Sequence, residues 1–239
     1  MSKLNLITFT RLDYSLSQHV INISEEIAEH FKVRRDYVPE FCNLIKTSKR
    51  WKIGKVDHYL DRWTTMLSKQ PGTKKIIDIV TRAFKGCLDN EEIDHLRGAM
   101  LEALIIACNG GISVLNQRNY GWGAQVTLNL QNKVHDIKYI CGNPSKPGCA
   151  NRSTVDFGSW DGYHGRFFEC KAQPVGIGCK EISYMAHLKA QLANENISHE
   201  VFFVCADSRD EVKIKLEEYN LSPVFKPVGI EDLKTMMLT

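Results

Sequence analysis

Three side chains in the second half of the 239-residue sequence are of the kinds that handle charge on a phosphate: Asp156, Glu169 and Lys171. They fall in residues 153–172, which read as two strands joined by a turn. Val155 and Phe157 alternate with Thr154, Asp156 and Gly158; Phe168 and Cys170 alternate with Phe167, Glu169 and Lys171. Alternation with period two gives one buried face and one polar face. Asp161-Gly162, with Gly165 shortly after, supplies turn chemistry between the arms. A turn centred between Gly162 and Tyr163 sets Asp156 opposite Glu169, with Cβ atoms about 4.5–5.5 Å apart, where like charges repel. Lys171 projects from the same face as Glu169. Facing carboxylates are tolerated when a hard cation stands between them, and Mg²⁺ takes one or two carboxylates together with waters and phosphate oxygens. The register matters, because a slip of one residue sends one carboxylate to the other face.

An Asp on one strand, followed after a short hairpin by Glu169-Cys170-Lys171 on the next, resembles the PD-(D/E)xK nuclease superfamily, which includes many restriction and repair endonucleases. Val155 stands where that family carries its Pro. The resemblance spans roughly residues 91 to 206 and implies a restriction-endonuclease-like αβββαβ core. It also implies Mg²⁺ as cofactor, with Mn²⁺ as a substitute, and hydrolysis of nucleic acid, DNA favoured over RNA. By resemblance, Asp156 and Glu169 would hold the metal together with the carbonyl of Cys170. Glu102 would hold a second ion or bind through water. Lys171 would orient the attacking water and counter charge in the transition state. A covalent route has no local support: Ser159 sits in no Gly-x-Ser-x-Gly elbow and the cysteines lack a matched His.

The elements that must carry these residues begin with a helix. Asp89, with Glu92 three residues on, is a capping-box pattern, and the helix it opens runs to about Cys108. From Ala99 to Cys108 the only polar residue is Glu102, and a carboxylate in so apolar a stretch needs a partner. A core-edge pair with Arg97 or Arg118 would satisfy it, as would a functional role. The superfamily places an acidic residue on the helix before its first core strand, and Glu102 matches that position. Residues 124–130 and about 136–141 read as strands, and 142–152 as an irregular polar loop. A helix over about 180–196 buries Ile182, Met185, Leu188 and Leu192, leaving Lys180, Tyr184, His187 and Gln191 off that stripe. The resemblance makes Lys180 and Gln191 candidates for contact with the substrate backbone; a solvated helix face explains them equally. Glu200–Ala206 reads as a central strand buried on both faces, and residues 223–228 as an edge strand.

Residues 1–88 read as a mostly helical region and 89–239 as the nuclease-like domain, an α/β (α+β) arrangement. Ser24 is the expected cap of the first helix, Pro39 starts a second, and Gly86 ends a later one. Within the basic stretch 46–55, Arg50 and Lys52 are candidates for phosphate contact, whereas Trp51 and Trp63 read as core anchors. The helical region is a candidate for nucleic-acid binding or dimerisation, and a two-fold homodimer would serve cleavage of both strands of a duplex. A net charge of +3 permits nucleic-acid binding without demanding it. With 43% hydrophobic and 25% charged residues the composition is that of a soluble globular protein. No stretch approaches the ~20 apolar residues of a membrane span and the N-terminus lacks a secretory pattern, so no membrane partner is expected. Eight cysteines without paired spacing read as reduced thiols in a cytoplasmic protein. Cys141, Cys149 and His135 do not match structural zinc spacing. Two readings compete with a nuclease. One is a nuclease-fold nucleic-acid-binding or assembly protein without activity. The other is a purely structural ion-pair set in which Lys171 bridges Asp156 and Glu169.

Overall fold

The computed structural model describes residues 3–12, 16–130, 133–140 and 151–235. A short strand, β1 (Ile7–Arg11), precedes five helices: α1 (Gln18–Val33), α2 (Val38–Thr47), α3 (Val56–Leu67), α4 (Lys74–Lys85) and α5 (Asn90–Cys108). The strands β2 (Tyr120–Leu130), β3 (Lys133–Asp136), β4 (Tyr139–Ile140), β5 (Asn151–Arg152), β6 (Thr154–Trp160) and β7 (His164–Lys171) follow. The chain continues through α6 (Cys179–Asn194), β8 (Ser198–Cys205), α7 (Arg209–Glu217), β9 (Lys226–Val228) and α8 (Ile230–Thr235). Among the described residues no helix is long and apolar enough to cross a membrane.

The class is mixed α/β. One sheet runs β1-β2-β6-β7-β8-β9, antiparallel as far as β7 and parallel from β7 to β9. The long β2 carries β1 on one edge and, on the other, β6 and then β3. Among the described residues β4 and β5 form a separate ladder, Tyr139↔Arg152 and Ile140↔Asn151. Helices cover both faces. Residues of α1–α5 and α8 share one core with Trp122, Phe157, Phe168, Cys170 and Val204. On the other face α6 and α7 pack Met185, Leu188, Leu192 and Leu216 against Val155, Phe167, Phe203 and Cys205.

Local sequence accounts for most of this. Asp89 accepts a hydrogen bond from the Glu92 amide, and α5, apolar nearly all round, is packed among helices and sheet. Pro39 lies in the first turn of α2 and Gly86 caps α4. Trp51 and Trp63 are buried. Two local expectations fail. The cap of the first helix is Ser17, whose Oγ accepts from the Val20 amide; Ser24 is buried inside the helix and donates to the Val20 carbonyl. Val20 and Ile23 are core residues, so the apolar stripe starts before Ser24. Residues 7–11, within the stretch read as mostly helical, form β1: Ile7 is buried and the strand pairs with residues 124–128. The N-terminal region thus contributes a strand to the sheet as well as most of the helical layer.

Cys42, Cys87, Cys108, Cys170 and Cys205 are free thiols. The notion of zinc at Cys141 and Cys149, and most of the loop at 142–152, lie outside the described residues.

Candidate active site

The hairpin of β6 and β7 pairs Phe157↔Phe168 through Trp160↔Gly165. The ladder ends at that first pair, with Asp156 just before Phe157 and Glu169 just after Phe168. Gly162 adopts φ +98° in the turn, and Asp161 Oδ1 accepts from the amides of Tyr163 and His164. At the far end of the hairpin Asp156 Oδ2 accepts a 2.6 Å hydrogen bond from the Cys170 amide.

Asp156 and Glu169 meet on the α6 face of the sheet, and a guanidinium lies between them. Arg152 Nη2 is 2.9 Å from Asp156 Oδ1 and 2.6 Å from Glu169 Oε2. The Lys171 ammonium lies 2.8 Å from Glu169 Oε1 and 3.3 Å from Oε1 of Glu181, which also stands 3.6 Å from Arg152 Nη1. Glu181 occupies the first turn of α6, where its other oxygen accepts from the Gly178 amide. Three carboxylates and two cations therefore share one nest. Lys171 bridges Glu169 and Glu181, and Arg152 bridges Asp156 and Glu169, an arrangement different from a simple Asp156–Lys171–Glu169 bridge.

Glu169 is completely buried, and both its oxygens meet their cations at ion-pair distance without the angles of directed hydrogen bonds. Burial, and next the charge of Asp156, push its carboxyl up to about 7; Arg152 and Lys171 pull the other way. Burial opposes the charge of Lys171, but Glu169 and Asp156 outweigh it and hold the ammonium firmly protonated. Tyr184, one turn after Glu181, is fully buried below the Arg152 guanidinium, and its hydroxyl has no hydrogen-bond partner among the described residues. Its side chain therefore does not join the solvated face of α6.

Glu102 stands in the helical layer on the other face, accepting a 2.5 Å hydrogen bond from Trp122 Nε1. Gly98, one turn earlier, keeps space beside it: a Cβ there would sit 4.0 Å from Glu102 Oε1. The buried Cys170 thiol senses both groups. Burial raises its pKa first, then the charges of Asp156, Glu102 and Glu169, with Lys171 opposing. Among the described residues no three His, Cys, Asp or Glu side chains close around one point.

Beside the nest lies a cavity of about 590 Å³ lined by Arg152, Ser153, Thr154, Lys138, Tyr139 and Lys180 among others. Lys180 is thus near Arg152. Gln191 lies on a similar side of α6 but about 17 Å further along its axis, at 1.5 Å per residue. Arg50 and Lys52 are exposed and neighbour the start of α5, where the Ile53 amide donates to Asn90 Oδ1. That is about 18 Å along α5 from Glu102. Sequence reasoning missed Arg152, Glu181 and Tyr184. The spacing from Gly178 to Glu181 carries the cap, but the second oxygen of Glu181 finds its cations only through tertiary packing.

Comparison with family models and with curated proteins finds no match. Among solved structures, the chain is similar to protein VC1899 from Vibrio cholerae at 11% identity and a TM-score of 0.43. The match covers 97% of this chain and 57% of the other, so the chain spans little more than half the length of that protein. A likeness of that strength carries no argument about fold or chemistry.

Proposed function

We propose that the protein is a metal-dependent nuclease with a restriction-endonuclease-like core, hydrolysing phosphodiester bonds, DNA before RNA. One observation carries the reading: the completely buried Glu169 faces Asp156 in a nest where burial drives its carboxyl up to about 7, beside a cavity lined by Lys138 and Lys180. Perturbed carboxyls of this kind gather where chemistry is done. The donor set fits a hard cation, since it is made of the oxygens of three carboxyl groups gathered around two cations. Asp156 and Glu169 would hold the ion, with the Cys170 carbonyl at the same strand end; Glu102, on the other face and bonded to Trp122 Nε1, stands apart from that set. Bound there, Mg²⁺ or Mn²⁺ would act as a Lewis acid and lower the pKa of a coordinated water. Lys171, held by Glu169 and Glu181, would orient the water and offset charge on the phosphate. Lys180 and Lys138 would receive the backbone of the substrate.

Asp156→Ala and Lys171→Ala are expected to fold and to lose cleavage of plasmid DNA in Mg²⁺. Either variant cutting as fast as the parent would refute the assignment, and a panel of single-stranded, duplex and branched DNA plus RNA defines the substrate. The position of Arg152 between the two carboxylates favours a second reading, a nuclease-fold nucleic-acid-binding or assembly protein without activity. That protein would show neither thermal stabilisation by Mn²⁺ nor cleavage.

A further inference from the structure

We infer that Arg152 is an exchangeable counter-ion. It holds the cation position between Asp156 and Glu169 until a divalent ion takes it, and is then released into the neighbouring cavity to bind a substrate phosphate. The inference rests on the metal-dependent reading above. Its basis is geometric. Nη2 lies 2.9 Å from Asp156 Oδ1 and 2.6 Å from Glu169 Oε2, and the side chain is 10% exposed. An ion bound to the same two oxygens at about 2.1 Å would stand within about 5 Å of the guanidinium. Two positive charges that close, away from water, repel strongly.

Arg152 is held chiefly by charge. Among the described residues its backbone pairs in the β4–β5 ladder, and beyond the carboxylates the side chain donates to the Thr154 carbonyl, through Nε at 3.0 Å, and lies over the Tyr184 ring. It already lines the cavity of about 590 Å³ that Lys138 and Lys180 also line. A guanidinium leaving the carboxylates therefore becomes the third cation of that cavity, with a planar fork suited to phosphate oxygens. Ion binding and capture of the substrate backbone are thereby coupled through one side chain.

The test uses the full chain and Mn²⁺ alone. Calorimetric titration compares the parent with Arg152→Met and Glu169→Gln. Removing the competing cation should tighten Mn²⁺ binding at least tenfold in Arg152→Met, and Glu169→Gln should abolish binding. In the parent itself, phenylglyoxal labelling read by mass spectrometry should show Arg152 modified several-fold faster when Mn²⁺ is added. This second arm decides the matter if Arg152→Met does not fold. An affinity unchanged or weakened in a folded Arg152→Met, or labelling of Arg152 that Mn²⁺ leaves unaltered, overturns the exchange while a metal-binding parent keeps the nuclease reading alive. A parent and Arg152→Met that both fail to bind Mn²⁺ overturn the two together.

Discussion

The charge of Glu169 should weaken the metal-free fold, and the size of that effect follows from its environment. Burial and the charge of Asp156 move the carboxyl from an ordinary 4.5 to about 7. A displacement of that extent corresponds to about 3 kcal/mol. The sign follows from proton linkage. The folded chain keeps the proton on Glu169 at pH values where the unfolded chain has released it. The stabilisation is therefore fully present below 4.5, is lost as the pH rises through about 7, and stays lost above. Glu169→Gln keeps the shape and removes the titration. Urea unfolding in the presence of a chelator, from about pH 4 to about pH 8, should show the difference between variant and parent moving by about 3 kcal/mol in favour of the variant. Saturating Mn²⁺ at the upper end should then stabilise the parent by roughly 2–3 kcal/mol at a hundredfold excess over its dissociation constant, and leave the variant unchanged. A difference that stays flat to within about 0.5 kcal/mol, or that favours the parent as pH rises, would contradict the argument that burial and Asp156 dominate over Arg152 and Lys171.

Three further outcomes are expected. Tyr184→Phe removes a buried hydroxyl that has no hydrogen-bond partner among the described residues, so it should raise stability by about 1 kcal/mol; a loss of that size in urea melts would mean the hydroxyl is satisfied. Gly229→Ala would bring a Cβ to 2.1 Å from the Arg209 backbone nitrogen, which cannot swing aside. It should cost about 2 kcal/mol or more, and an unaltered urea midpoint would refute the close approach. Lys180→Ala should weaken binding to all DNA sequences alike and lower the slope of log affinity against log salt by about 1; an unchanged slope in fluorescence anisotropy removes Lys180 from the interface.

What the sequence by itself determined is local. The Asp161-Gly162 turn set the hairpin register from Phe157↔Phe168 to Trp160↔Gly165, but the expected single buried face did not hold: Phe168 and Phe167 are buried on opposite faces, and Val155 packs in the α6 core while Phe157 packs in the other. The capping residues Asp89 and Gly86, the buried stripe of α6 and the mixed α/β class were legible for the same reason: each depends on neighbours within a few positions. Only the tertiary structure decided the rest. β1 pairs with a strand more than a hundred residues away, a partnership no five-residue pattern encodes. Glu181 and Tyr184 enter the nest because α6 docks on one particular face of the sheet, turning a polar phenol inward against its residue type. Arg152 reaches both carboxylates from a ladder outside the main sheet, so the cation between Asp156 and Glu169 was fixed by packing, not by spacing. Period and turn chemistry act over one or two turns of chain, whereas the electrostatics of a buried carboxylate depend on every charge brought near it.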